Sequence, residues 1–304
     1  MGLPVVFVHA LRTSHTMWRE QVAAVEAAGH RALAIDLPGH GTRIGEEFTV
    51  DGAVEAIRAG IESVAGPATG PASAGEAPGM GAAGAASAGV AEGRALVVGL
   101  SLGGYMGIAH AARHPEQVAG LVAAACCTRP LRTVVAGWEA VSRGLLRLPD
   151  HGAAFNAFVV GHMLPPAAMA DAGAGGWSMD VMTSALRAMA GADPVGDLAR
   201  VRAPVWLVNG QLDHFRGEER RFLAACRDGR LVVVPRAPHV VSLVRPTRFS
   251  RVVLEALAAV EGQSASAQAR TPPTMPASLG TTTTSSPSLS STVAVMRREL
   301  PPPR

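Results

Sequence analysis

Apolar positions in this chain cluster into short continuous runs rather than long alternating stretches. Val5 to Val8, Leu96 to Val98, the run from Leu121 toward Cys127, residues 204–209 (PVWLVN) and residues 231–235 (LVVVP) are such runs. Runs of this length bounded by Gly, Pro or Asp predict strands buried on both faces, as in the middle of a parallel sheet. Helical patterns lie between them, so the order of elements predicts an α/β protein with a doubly wound, mostly parallel sheet. Residues 128–199 interrupt this order with no strand pattern, far longer than an ordinary crossover. Helices are expected there near 130–148, 152–163 and 178–191, separated by Gly-, Pro- and Asp-rich breaks.

Two further segments carry almost no core-forming residues. Residues 66–92 are nearly all Gly, Ala, Pro and Ser, and residues 262–304 shift to Ser, Thr and Pro. Neither buries enough apolar area to offset chain entropy, so a flexible loop and a disordered tail are expected. The expected organisation is a core of 1–127 and 200–261, a helical insertion at 128–199, and that tail.

Candidate chemistry concentrates at residues 94–110, RALVVGLSLGGYMGIAH, where an apolar strand runs into G-x-S-x-G and then a helix. A chain with 34 glycines produces that pentapeptide by chance at an appreciable rate, and a plain Gly-Ser turn would look the same. The strand-to-helix context carries the weight, because it is what holds a serine hydroxyl on a sharp turn above a sheet. Gly99 and Gly103 stand where a Cβ would collide as strand and helix approach, and Gly104 and Gly107 keep the helix slim. Ser101 is therefore the candidate nucleophile.

A serine hydroxyl needs a base, and the base needs a group to orient it. Asp213 falls just after the 204–209 strand and His239 just after the 231–235 strand. Loops after parallel strands share one edge of the sheet, so Ser101, Asp213 and His239 are expected to converge.

The order Ser, Asp, His resembles that of the α/β-hydrolases, and three more segments strengthen the likeness. VVFVHALRTSHTMW (5–18) is similar to the family's first strand and oxyanion loop, LAIDLPGHG (33–41) to its most recurrent turn, and PHVVSLVRP (238–246) to its histidine loop. The resemblance covers most of residues 4–260. It implies an α/β-hydrolase sheet with 128–199 as a helical cap, a Ser101–His239–Asp213 triad, and an oxyanion hole from the backbone N–H groups of Leu11 and Leu102. It implies no metal and no organic cofactor. The usual Gly after His9 is Ala10, so a slight shift of the oxyanion loop is expected. The first strand begins within four residues of Met1, leaving no room in this sequence for the two antiparallel strands many members carry there, so either a shortened sheet or a true start further upstream is expected.

The remaining polar residues have plainer readings. His40 in the PGHG turn is expected to be structural, Asp36 to hydrogen-bond locally, and His214 either to line the pocket or to face water. The alternative acid position used by some relatives is occupied by CCTRP (126–130), without a carboxylate. Hydroxynitrile lyases of this fold are thought to use a cap lysine, and this chain has none.

At 48% hydrophobic and 17% charged, the chain can bury one large core. The net charge of +3 comes from arginines interleaved with acids, so no nucleic-acid stripe is expected. Cys126, Cys127 and Cys226 suggest neither a disulfide framework nor a zinc site. Without a long apolar run or a basic leader, no membrane span or signal peptide is expected, and the location is read as cytoplasmic. Trp138, Phe155, Phe158, Met163, Met169, Trp177, Met179, Met182 and Met189 give the cap an apolar lining, or else pack it onto the core. Together they point to a small apolar acyl substrate: an ester, thioester or lactone. A carbon–carbon bond hydrolase, a perhydrolase, an acyltransferase or a non-catalytic ligand-binding protein would carry the same triad, and the oligomeric state is left open.

Overall fold

A computed structural model describes residues 2–66 and 93–270. Six strands form one sheet: β1 (Val5–Val8), β2 (Ala32–Ile35), β3 (Ala95–Leu100), β4 (Val118–Ala124), β5 (Val205–Gly210) and β6 (Gly229–Val234). Their spatial order is β2-β1-β3-β4-β5-β6, and every neighbouring pair is parallel. The expected doubly wound α/β sheet is present, and it is all-parallel. The chain leaves β1 in one direction to reach β2 and returns to the other side for β3. The carboxyl ends of β1 and β3 therefore flank the switch point, where open α/β sheets place their ligands.

Alternation along each strand builds two core layers. Phe7 of β1 with Leu96 and Val98 of β3 face one layer, which holds Trp18 and Phe249. Val6 and Val8 with Val97 face the other, which holds Ile57, Met106 and Phe222. Helices α1 (Arg19–Ala27) and α11 (Pro246–Arg270) cover the first; α2 (Val50–Ala65), α3 (Leu102–Arg113) and α9 (Glu219–Ala225) cover the second. The Trp18 ring lies 5.1 Å from Phe7 and 5.7 Å from Phe249 and is fully buried. Burial of each such side chain contributes about 1.5–3 kcal/mol.

Between β4 and β5 lie α4 (Arg132–Leu146), α5 (Ala153–Met163), α6 (Pro166–Gly173), α7 (Val181–Met189) and α8 (Pro194–Arg200). The three helices expected here are accompanied by two short ones. Each of these has Pro at its start, where the missing N–H costs nothing. Leu198 of α8 is buried in the second core layer. A four-residue helix, α10 (Val241–Val244), follows the β6 loop.

The tail boundary needs correction. The expected change at residue 262 falls inside α11, which continues to Arg270. Ser-rich composition suggested disorder, yet Gln263, Ala265, Ala267, Gln268, Ala269 and Arg270 are good helix formers that extend an existing helix. Residues 271–304, and 67–92 of the low-complexity loop, lie outside the described residues. Among the described residues no helix is long and apolar enough to cross a membrane.

Candidate active site

Ser101 sits between β3 and α3 at φ 55°, ψ −113°, a left-handed conformation that a non-glycine residue adopts only under strain. Its N–H donates to the Ala124 carbonyl (2.8 Å) and its carbonyl accepts from Tyr105 N–H (3.1 Å), which holds the turn in place. A Cβ on Gly99 would lie 2.2 Å from the Gly103 carbonyl oxygen. One on Gly104 would meet Cys126 Sγ at 2.8 Å. The glycines around Ser101 thus permit a close strand–helix approach rather than flexibility.

His239 Nε2 lies 3.0 Å from Ser101 Oγ, and His239 Nδ1 lies 2.9 Å from Asp213 Oδ1. The structure brings together the three residues that the sequence placed on three separate loops. Asp213 Oδ1 also accepts from Phe215 N–H (2.8 Å), while Oδ2 has no hydrogen-bond partner among the described residues. Backbone stitching explains why the two loops meet. Gln211 N–H donates to the Val234 carbonyl and Leu212 N–H to the Ala237 carbonyl, both at 2.9 Å. Arg236 N–H donates to Gln211 Oε1 at 2.9 Å.

Asp213 is only 4% exposed. Burial alone would raise its carboxyl pKa, but the hydrogen bond and charge of His239, with Phe215 N–H, bring it below the ordinary value. It therefore stays anionic and fixes the His239 tautomer with the proton on Nδ1. Nε2 is then an acceptor facing the serine hydroxyl, the arrangement for removing its proton.

The loop after β1 packs against the first turn of α3, where a Cβ on Gly103 would come within 2.7 Å of the His9 carbonyl oxygen. Leu102 opens α3, so its N–H lies in the first turn, which has no intrahelical acceptors. Leu11 precedes Arg12, and the left-handed residue of this loop is Arg12 (φ 71°), not Ala10. Ala10 has no positive φ, so the missing glycine strains nothing at that position. Thr13 Oγ1 donates to the Ala10 carbonyl at 2.9 Å and pins the loop.

The other candidates have structural partners. Asp36 accepts from His15 N–H, the His15 ring, Thr42 N–H and Thr42 Oγ1 at 2.7–2.9 Å. Burial opposes its ionisation, but these four bonds hold its carboxyl below the ordinary value. His40 is buried, with Nδ1 donating to the Pro38 carbonyl at 3.0 Å. His214 has a largely exposed side chain, and its ring centroid lies 5.0 Å from that of His239 and 6.2 Å from that of Trp138.

Burial and the neighbouring His239 hold the His214 imidazole below its usual pKa. Asp213, His214 and His239 offer ligand atoms within 4.8 Å of one another, the one such group among the described residues. A surface cavity of about 570 Å³ opens between the PGHG turn and α7, lined by Gly39, Ser178 and Asp180 among others.

Two features escape sequence reasoning. His9, read only as part of a motif, is fully buried; its Nδ1 donates to the Ala10 carbonyl (2.8 Å) and its Nε2 accepts from Leu37 N–H (3.0 Å). Arg12 sends its guanidinium to Asn156 on α5 (2.8 Å). An arginine in the loop directly after the buried strand β1 was the available signal.

The Alpha/beta hydrolase family model matches residues 5–252. Among curated proteins, "Probable esterase PIR7A" of Oryza sativa, in the indica and japonica subspecies, is 32% identical over 126 residues, 41% of this chain. The match spans 40% of the length of those relatives. Among solved structures, the enol-lactonase from Burkholderia xenovorans LB400 is 20% identical with a TM-score of 0.61, covering 85% of this chain and 92% of that one. A thermophilic esterase from Thermogutta terrifontis is 22% identical with a TM-score of 0.63, covering 86% and 91%. At these identities the solved structures establish the fold alone.

Proposed function

Since the chain belongs to the alpha/beta hydrolase family, we propose that it is a serine hydrolase cleaving an ester, thioester or lactone with an apolar acyl part through an acyl-enzyme on Ser101. The carrying observation is the unbroken chain Ser101 Oγ, His239 Nε2, His239 Nδ1, Asp213 Oδ1, with links of 3.0 and 2.9 Å. The esterase description of the curated relatives supports the ester side of this reading.

In the first step Ser101 Oγ attacks the carbonyl carbon while its proton passes to His239 Nε2. The imidazolium that forms is stabilised by Asp213. The carbonyl oxygen, now an oxyanion, is held by the N–H groups of Leu11 and Leu102, each contributing about 3 kcal/mol. Collapse of the tetrahedral species expels the alcohol or thiol, which takes the proton from His239. Water then attacks the acyl-enzyme, giving a proton to His239 Nε2, and the acid leaves as Ser101 is reprotonated. Helices α4 to α7 act as the cap that selects the acyl group. Trp138 borders the site, and Met182 and Met189 are buried supports.

A fluorophosphonate probe tests the proposal. Wild-type protein should label stoichiometrically and Ser101→Ala should not. Absent labelling of folded wild type, or labelling that survives Ser101→Ala, would sink it.

A further inference from the structure

Arg12 is a cation without a counterion. Elsewhere in the fold arginines sit beside acids: Arg43 with Glu46, Arg129 with Glu218, Arg216 with Glu219. Among the described residues Arg12 makes no ion pair, and its partner is the neutral amide of Asn156, whose Oδ1 accepts from Nη1 at 2.8 Å. Burial presses the guanidinium pKa down, and no carboxylate raises it. Arg12 is half-buried, and a partly desolvated charge left unpaired costs stability.

The neighbours of Arg12 compound the imbalance. Because the guanidinium can only donate, the amide atom facing it must be the oxygen of Asn156. The Asn156 Nδ2 group is thereby left over; Asn156 is 2% exposed and Nδ2 has no partner among the described residues. Ser178, also 2% exposed, donates its N–H to the Arg12 carbonyl (2.9 Å) and leaves its own hydroxyl unpartnered. One positive charge and an orphaned amide donor therefore share one contact, with no carboxylate among the described residues to balance them. Each buried donor left this way is unfavourable unless a ligand supplies the acceptor.

Location gives this contact its meaning. Arg12 immediately follows Leu11 in the loop that approaches Ser101, and its side chain reaches α5 in the insertion. Arg12 is the residue next to Leu11, so on the serine-hydrolase reading an acceptor bound by its side chain belongs to the same substrate whose carbonyl the Leu11 N–H holds.

We propose that Arg12 and Asn156 form a carboxylate-binding subsite, so that the substrate is an ester, thioester or lactone carrying a free carboxylate beside its apolar acyl part. This rests on the serine-hydrolase reading and narrows its substrate class. A monoanion balances the single guanidinium charge, and two planar oxygens match the free Arg12 N–H groups and the Asn156 Nδ2. A phosphate dianion would leave one negative charge uncompensated. The positive φ of Arg12 fits a residue held in a costly conformation to aim its side chain.

The test compares monomethyl esters of succinate, glutarate and adipate with the methyl esters of the matching monoamides. Wild type should favour at least one carboxylate over its amide isostere by about tenfold or more in kcat/KM, and Arg12→Gln should remove that preference. Equal rates for each pair in wild type, or a preference that survives Arg12→Gln, overturns the proposal. Asn156→Asp provides a second variant should Arg12→Gln fail to fold. It supplies the missing carboxylate internally, so it should raise Tm and lower the preference; a lower Tm with the preference intact counts against the subsite. Binding separates this proposal from the one beneath it. Folded Ser101→Ala should show a thermal shift with glutarate monoamide that Arg12→Gln abolishes. If that shift is seen but no ester is turned over by wild type, the hydrolase reading fails and the subsite stands.

Discussion

Gly103, in the first turn of α3, lies so close to Val8 at the end of β1 that a Cβ on it would come within 2.2 Å of the Val8 carbonyl oxygen. Backbone atoms of a central strand cannot swing aside as a side-chain tip can. Gly103→Ala should therefore destabilise by about 3 kcal/mol or more, the upper end for overpacking. Gly137, on the exposed insertion helix α4, has nothing within 4 Å of a built Cβ. Gly137→Ala should stabilise by about 0.5–1 kcal/mol, through helix propensity alone. Urea denaturation of the two variants checks both signs, and a Gly103→Ala protein as stable as wild type would contradict the close approach.

Asp213 touches no substrate atom in the proposed reaction, yet it determines which nitrogen of His239 faces Ser101. Asp213→Asn presents an amide that can donate to Nδ1 and so place the imidazole proton on Nε2, the wrong tautomer. A fall in kcat of about 10³- to 10⁴-fold is expected, with KM little changed. Steady-state kinetics on a p-nitrophenyl ester, with circular dichroism to verify folding, measures it. Loss of less than tenfold would show that another group orients His239.

The elbow and the sheet were legible because their physics is local. A buried strand must be apolar throughout, and a serine turn pressed between strand and helix must be flanked by glycine, so Gly99, Ser101 and Gly103 announce themselves. Asp213 and His239 were legible because parallel strands deliver their following loops to one edge. The Arg12–Asn156 contact joins residues far apart in the chain through the insertion, whose arrangement no periodicity encodes. The extension of α11 was missed for a different reason: serine-rich composition masked the Ala and Gln between the serines.

Trp138 is 43% exposed on α4, next to His214, and shares its helix with exposed Val134 and Val141. These positions, three and four residues apart, form one apolar stripe with Trp138, the residue beside His214, at its middle. An acyl chain laid along it gains about 0.8 kcal/mol per methylene, roughly fourfold in kcat/KM. Rates on p-nitrophenyl esters should climb with acyl length, and Trp138→Ala should flatten the climb. Equal rates for acetate, butyrate and octanoate would remove the stripe from the substrate path.

Acid stability should be governed by buried histidines. Burial is the main cause that lowers His9, to about 3, with His40 and His15 adding repulsion and the Ala10 carbonyl and Asp36 opposing. Burial likewise lowers His40, and His110 to about 4 beside His114. Each is neutral when folded and takes up a proton when unfolded at any pH between its folded value and the ordinary histidine value near 6.5. In that window the unfolded state binds more protons, so stability rises with pH and is fully present above about 6.5. Each group contributes a slope of up to about 1.4 kcal/mol per pH unit below that point. Asp36, held below its ordinary carboxylate range, adds its own loss only at lower pH. Urea midpoints should therefore fall between pH 7.5 and pH 5, and His9→Asn should make that fall shallower without abolishing it, because His40 and His110 still titrate. A midpoint independent of pH over this interval would mean that these imidazoles are not held neutral by the fold.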